Sequence, residues 1–138
     1  MAKMTLKDIS KKMRKINLCM MTTITEKGMT ASRPMSNNRD VEYDGNSFFF
    51  TFEKSRLIKD LSLNDHVSMS FSAPKRFFIS VSGRAKVIRS KKAMEEHWVK
   101  GLEKWFEDGL DTPGIAMIQV RASRIKYWHK EEEGEVKV

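Results

Sequence analysis

Leu6, Ile9, Met13 and Ile16 recur at helical spacing with lysines on the opposite side, so the chain opens on an amphipathic helix. Thr5 and Asp8 supply the side chains of a capping box at its start, with Asp in place of the usual Glu or Gln. From Leu18 the period changes. Leu18–Thr25 and Met29–Met35 read as strands joined across Glu26-Lys27-Gly28, a short hairpin loop whose glycine can take positive φ. Asp44-Gly45 is a second turn signal. Ser47–Phe52 follows, and its four aromatics fit a strand buried on one face and covered on the other. Ser55 opens a short helix with Leu57, Ile58 and Leu61 on its buried side.

Val67, Met69 and Phe71 then alternate with Ser68, Ser70 and Ser72, the pattern of a half-buried strand. After a turn at Ala73-Pro74-Lys75, residues from Phe77 to Val87 keep the same parity over a long strand. Gly83 within it predicts a bulge or bend. Ser90 caps a further helix that carries Met94, Trp98, Leu102 and Trp105. The loop Phe106–Gly114 leads to a final strand over Ile115–Trp128, and the tail from Lys130 to Val138, with three consecutive glutamates, is expected to fray. About six strands with three helices and no βαβ alternation predict a mainly β fold, an antiparallel barrel decorated by helices. With no internal repeat or linker, residues 1–138 are expected to form one domain.

Composition narrows the class. With 138 residues, 40% hydrophobic and 32% charged, the chain is that of a globular protein. No apolar run approaches a bilayer span of roughly 20 residues, and no apolar segment follows the basic N-terminus as in a secretory signal. The single Cys19 lies in an apolar stretch, which predicts a buried inert thiol and a reducing, cytoplasmic setting. The net charge of +8 is spread along the chain, and the cluster Lys7, Lys11, Lys12, Arg14, Lys15 has no interleaved aromatics, so it predicts a solvated helix face and not a nucleic-acid surface. His66, His97 and His129 match no metal spacing and are expected at the surface or its boundary. Neither a GxGxxG nor a P-loop is present, and no catalytic triad order is supported.

Two arginines stand apart. Arg33 precedes a proline, which holds it extended at a strand end. Arg56 falls in the first turn of the Ser55 helix, where the helix dipole is already positive, a poor place for a cation unless an anion is bound as well. With Thr51, Lys54 and Ser55 close in sequence, these groups are those a phosphate requires, although two ordinary surface arginines would give the same letters.

Thr23 and Gly28 followed by Arg33-Pro34-Met35, then FFFTFEKSR (48–56) with Lys59 downstream, then ISVSGRAKV (79–87) and WFEDGLDTP (105–113), resemble the general stress protein 26 group. That group belongs to the pyridoxamine 5′-phosphate oxidase-like, FMN-binding split β-barrel proteins, and the resemblance covers about residues 5–130. It implies a six-stranded split barrel that dimerises, with FMN (FAD being the alternative) held in clefts between the subunits. Arg33, Pro34 and Met35 match the strand that lines the flavin and its phosphate. Phe50 and Thr51 match the pair touching ribityl and ring, and Ser55 and Arg56 the pair gripping the phosphate. Trp105 matches the tryptophan of a loop near the partner's flavin.

The departures carry information too. The B6 phosphate oxidases have a lysine where Asn38 stands, a second cation at Leu57, a glutamine at Phe78 and a C-terminal arginine-tryptophan segment with no counterpart after Lys126. These differences argue against vitamin B6 phosphate as substrate. The family's usual proline is replaced by Glu107. The resemblance implies a flavin-dependent oxidoreductase of unspecified substrate, no protein acid or base being evident. The alternatives are a non-catalytic protein that stores or senses flavin and, on charge alone, a small nucleic-acid-binding barrel.

Overall fold

The computed structural model of the chain describes residues 3–37 and 42–138. Helix α1 (Leu6–Met13) begins as expected: the Thr5 hydroxyl accepts from the Asp8 N–H at 3.2 Å, and the Asp8 carboxylate accepts from the Thr5 N–H at 2.9 Å. Such a cap contributes about 1 kcal/mol. The stripe of the helix goes inward, with Ile9, Met13 and the following Ile16 in the core.

The strands are β1 (Leu18–Ile24), β2 (Thr30–Ser36), β3 (Asn46–Phe52), β4 (His66–Ala73), β5 (Phe77–Ile88), β6 (Ile115–His129) and β7 (Glu132–Val136). All strand pairings among the described residues are antiparallel, and the order β2-β1-β4-β5-β6-β3 is the six-stranded path of a split barrel. The path does not close: among the described residues β2 and β3 pair with β1 and β6 respectively and not with each other. Alternation does the rest. Cys19 and Met21, Val67, Met69 and Phe71, and Phe77, Ile79 and Val81 face one continuous core, while the intervening residues face outward. Each large side chain fully buried in this way is worth about 1.5–3 kcal/mol.

The hairpin glycine Gly28 takes φ 77°, as its place in the β1–β2 loop requires. The bend expected at Gly83 is a β-bulge. Ser82 pairs with Arg124 but Gly83 with Ala122, which leaves Ser123 without a partner across the ladder. At this corner β6 stops pairing with β3 and begins to pair with β7.

Three expectations are corrected. The tail does not fray: β7 pairs with Ile125–His129, and Val136 is buried in the core. Its glutamates are exposed, and two of them face cations on β6, Glu135 with Arg124 at 2.6 Å and Glu133 with Lys126 at 3.8 Å. The helix begun at Ser90 is also shorter than predicted. Helix α3 (Lys91–His97) ends where Trp98 turns extended, and the 3-10 helices η1 (Lys100–Lys104) and η2 (Gly109–Asp111) follow. The break lets the Trp98 ring meet Phe50 edge-on at 5.0 Å while its Nε1 donates to Glu103. Finally, β3 is not covered on both faces. Phe49 is buried, whereas Phe52 is exposed and Phe48 and Phe50 are half-buried.

Helix α2 (Arg56–Leu63) bridges β3 to β4 and buries Leu57, Ile58, Asp60 and Leu61. No helix among the described residues is long and apolar enough to cross a membrane.

Candidate functional site

The open seam between the edge strands β2 and β3 is a cleft of about 510 Å³, within the roughly 300–1,000 Å³ range of small-molecule sites. One wall is Leu18 with residues 33–37, the other residues 48–52, and the outer rim comes from the segment His97–Phe106. The eight residues singled out from the sequence all line this one cleft: Arg33, Pro34 and Met35 on β2, Phe50 and Thr51 on β3, Ser55 and Arg56 at the start of α2, and Trp105 on the rim.

One end of the cleft gathers two hydroxyls, a helix N-terminus and a cation. Ser55 caps α2, its hydroxyl accepting from the Ile58 N–H at 3.4 Å and from the Thr51 hydroxyl at 3.2 Å. The first-turn N–H groups that no helix carbonyl reaches point the same way, with the positive end of the helix dipole. Arg56 is exposed beside them and has no hydrogen-bond or ion-pair partner among the described residues. No acidic residue stands in the first turn of α2 to compensate it.

Arg33 is placed differently. It shares the inward parity of Met35, and its guanidinium enters a buried polar network at the end of the barrel. Nη1 donates to the Thr23 hydroxyl at 2.8 Å and the Met21 carbonyl at 3.3 Å, and Nη2 reaches the Asp60 carboxylate at 3.4 Å. Thr23 in turn donates to Asp60 at 2.8 Å. Asp60 is 2% exposed and Thr23 0%. Separating Arg33 from Asp60 would strand a buried carboxylate at a cost of about 3–5 kcal/mol. One new charge-assisted bond to a ligand would return about 1.5–3 kcal/mol.

The remaining surface is aromatic and aliphatic. Phe52 packs on Phe106 at 5.1 Å, Trp98 on Phe106 at 6.1 Å, and the His97 ring stacks flat on Phe48 at 3.5 Å. Trp105 is 57% exposed, with Lys104 over its ring. His97, expected at the surface or its boundary, is half-buried and lines the cleft; among the described residues it is the one ionisable lining side chain besides Arg33 and Arg56. Phe48, Phe52 and Phe106 also belong to the cleft and were not singled out from the sequence. The period-two parity they share with Phe50 along β3 was the available signal for the first two. Asp60 had a signal as well: an arginine with core parity needs a buried counter-charge.

Of the departures from the B6 oxidases, Leu57 lines the cleft, Phe78 lies on the outer face of the sheet, and Glu107 is exposed on the loop. Asn38 lies outside the described residues. The Cys19 thiol is 2% exposed, as the sequence predicted, and burial pushes its pKa up to about 12.

The sequence pattern of the "Pyridoxamine 5'-phosphate oxidase like" family matches residues 4–138, nearly the whole chain. The chain belongs to this family. Similar solved folds extend over the same length. A Clostridium acetobutylicum protein related to general stress protein 26 of B. subtilis superposes with a TM-score of 0.84 at 18% identity, covering 96% of this chain and 94% of that one. The general stress FMN/FAD binding protein of Xanthomonas citri superposes at 0.75 with 25% identity, covering 92% and 90%. A heme binding protein of Mycobacterium smegmatis shares the fold at 0.73 with 11% identity, covering 99% of this chain and 60% of that one. No curated protein matches the chain. This pyridoxamine 5′-phosphate oxidase-like chain therefore has the split-barrel fold, in its case with a seventh strand and an open seam.

Proposed function

We propose that the seam cleft binds a flavin mononucleotide, FAD being the alternative, and that the protein is a flavin-dependent redox protein of the general stress class. The observation that carries this reading is the uncommitted Arg56 at the capped N-terminus of α2, joined to an aromatic cleft of about 510 Å³. The Xanthomonas citri neighbour named for FMN/FAD binding supports it.

The residues fit such a group. Arg56, the Ser55 hydroxyl and the free N–H groups of α2 would hold the phosphate, with Thr51 hydrogen-bonded to Ser55. Pro34, Met35, Phe50 and the backbone edges of β2 and β3, which line the cleft, would face the ring and ribityl chain. Phe48, Phe52, Phe106 and Trp105 exclude water. When bound, a flavin supplies hydride and electron transfer that these side chains do not.

A non-catalytic flavin store or sensor is the second reading. Its supporting observation is that His97 is the one imidazole among the described lining residues, and its ring is stacked on Phe48.

The cofactor site is proposed to be shared in a homodimer. Leu18, Met20, Phe78 and Trp128 are 36–52% exposed on the outer face of the sheet, set among the small side chains Ser70, Ser72 and Ser80. Leu18 belongs both to this face and to the cleft, so a second copy seated on the face would border the site.

The test is spectroscopic. Purified protein, or protein titrated with FMN, should show bound-flavin absorption bands, and Arg56→Ala should weaken FMN roughly 10- to 100-fold, from about 1.5–3 kcal/mol per lost charge-assisted bond. Riboflavin, which lacks the phosphate, should be little affected. A protein that binds neither ligand refutes the cofactor reading, and equal losses for both refute the role of Arg56. Turnover of a reduced nicotinamide donor separates enzyme from store. Sedimentation of a monomer that retains flavin would exclude the shared site.

A further inference from the structure

Two arginines border the cleft, but only one of them carries an unmatched charge. We infer that Thr23 and Asp60 are positioning residues that hold Arg33 as a charge-neutral wall of the cleft, so that Arg56 is the cation that discriminates a phosphate. The inference rests on the flavin reading for its ligand, though not for its geometry.

The geometry is that of a relay. Arg33 donates to Thr23 at 2.8 Å, Thr23 donates to Asp60 at 2.8 Å, and the guanidinium reaches the same carboxylate oxygen at 3.4 Å. Asp60 is buried, and its side-chain partners among the described residues are these two. If Arg33 swung out to a ligand phosphate, the Asp60 carboxyl would be left away from water with one hydroxyl as its side-chain partner. Holding Arg33 in place is the favoured arrangement.

The other charges near α2 do not alter this. Lys59 faces Glu26 at 3.9 Å on the exposed side, and Glu53 is taken by Arg89. Lys54, two residues before Arg56, is exposed and also has no partner among the described residues, but it does not line the cleft; of the two arginines that do, Arg56 alone has no partner.

Arg33 is still useful to a ligand. A guanidinium carries about five N–H donors, and the contacts above engage Nη1 twice and Nη2 once. The remainder suit neutral acceptors such as a ring carbonyl or a sugar hydroxyl. Arg33 would then orient the uncharged part of the ligand, and phosphate selectivity would be set elsewhere.

The experiment compares FMN with riboflavin across variants, by fluorescence titration of the folded full-length chain. In Arg33→Met/Asp60→Leu both charges are lost together, so the two affinities should fall by similar factors, with their ratio within about threefold of wild type. Asp60→Asn releases the charge of Arg33 and should raise the preference for FMN by about fivefold or more. A double variant that loses about tenfold of the FMN preference, or an Asp60→Asn ratio that is unchanged or lowered, overturns the inference.

A second measurement needs neither flavin nor a variant that folds. With inorganic phosphate as the probe, NMR of the arginine Nε–Hε groups in wild-type protein should show Arg56 shifting and Arg33 still. Movement of Arg33, or of neither, overturns it. If the wild type binds no flavin at all, that failure belongs to the cofactor reading and the phosphate titration still decides this one.

Discussion

Replacing Gly83 with alanine introduces a methyl group where the backbone of β6 lies close against β5. A Cβ at this position would overlap the Arg121 carbonyl oxygen and lie 2.9 Å from its carbon and 3.1 Å from the Ala122 Cα. Ordinary carbon contacts need about 3.5–4.0 Å, so the backbone of β6 must retreat by roughly 0.5–1 Å. All three obstructing atoms are backbone, and no side chain can rotate away. Overpacking costs about 1–3 kcal/mol, and each ladder hydrogen bond stretched out of range leaves buried groups that cost about 1–3 kcal/mol more. Against this stands about 0.4–1 kcal/mol gained by stiffening the unfolded chain. The net loss is on the order of 3 kcal/mol, a large part of the roughly 5–15 kcal/mol that a domain has. At about 4 °C per kcal/mol for this chain length, the melting midpoint should fall by roughly 10 °C. Urea unfolding followed by circular dichroism measures this directly, with Gly101→Ala as the control. Gly101 has nothing within 4 Å of its would-be Cβ, and its substitution should be close to neutral. If the two variants unfold alike, the bulge is not a close approach of two backbones and the account of the barrel corner fails.

Gly134→Ala should loosen β7, because its Cβ would meet the buried Tyr127 ring, 2.5 Å from Cζ and 2.8 Å from Cε1. A loss of about 1–3 kcal/mol and faster carboxypeptidase trimming of the tail are expected; wild-type trimming rates would count against β7 as a fixed strand. Cys19, with its thiol pushed up to about 12 by burial, should react with a thiol reagent at mildly alkaline pH only after denaturant is added, and immediate labelling of the native protein would contradict its burial. Hydrogen bonds from the Thr5 backbone and hydroxyl lower Asp8 below its ordinary 3.8. A carboxylate depressed in the folded state stabilises above the unfolded pKa, and this contribution is lost as pH falls through the folded value. Asp8→Ala should therefore destabilise the protein at neutral pH, and the difference should shrink as the pH falls below the ordinary 3.8. A constant difference across that range would show that the capping box carries no titrating contribution.

Alternation made much of this architecture legible. Val67, Met69 and Phe71 against Ser68, Ser70 and Ser72 fixed a strand and its inner face together, and Gly83 marked the corner at which a long strand has to bend. The segment after Ser90 read as one helix because Met94, Trp98 and Leu102 keep helical spacing. The pull of the Trp98 ring toward Phe50 and Phe106 is tertiary, and no local pattern reports it. The tail misled for the opposite reason. Three glutamates look like solvent, yet antiparallel pairing with β6 needs only that one side of β7 be apolar, and Val136 supplies it. In the cleft, residue types and family order picked out the β2 wall, the α2 entry and Trp105. The partner of Arg33 remained hidden because Asp60 stands 27 residues away on the next helix, where only folding brings the two charges together.

The open seam has a cost in the free protein. An unpaired strand edge is a template for other strands. On the β2 side the risk is blunted by Pro34, which has no N–H to offer. The β3 side has no such guard. Its sequence FFFTF is uncharged, aromatic and free of proline and glycine, the composition that drives strand-to-strand stacking between molecules. Whatever fills the cleft also covers this edge, so a shortage of ligand would first appear as aggregation, and overexpressed protein should stay in solution in proportion to the ligand supplied with it.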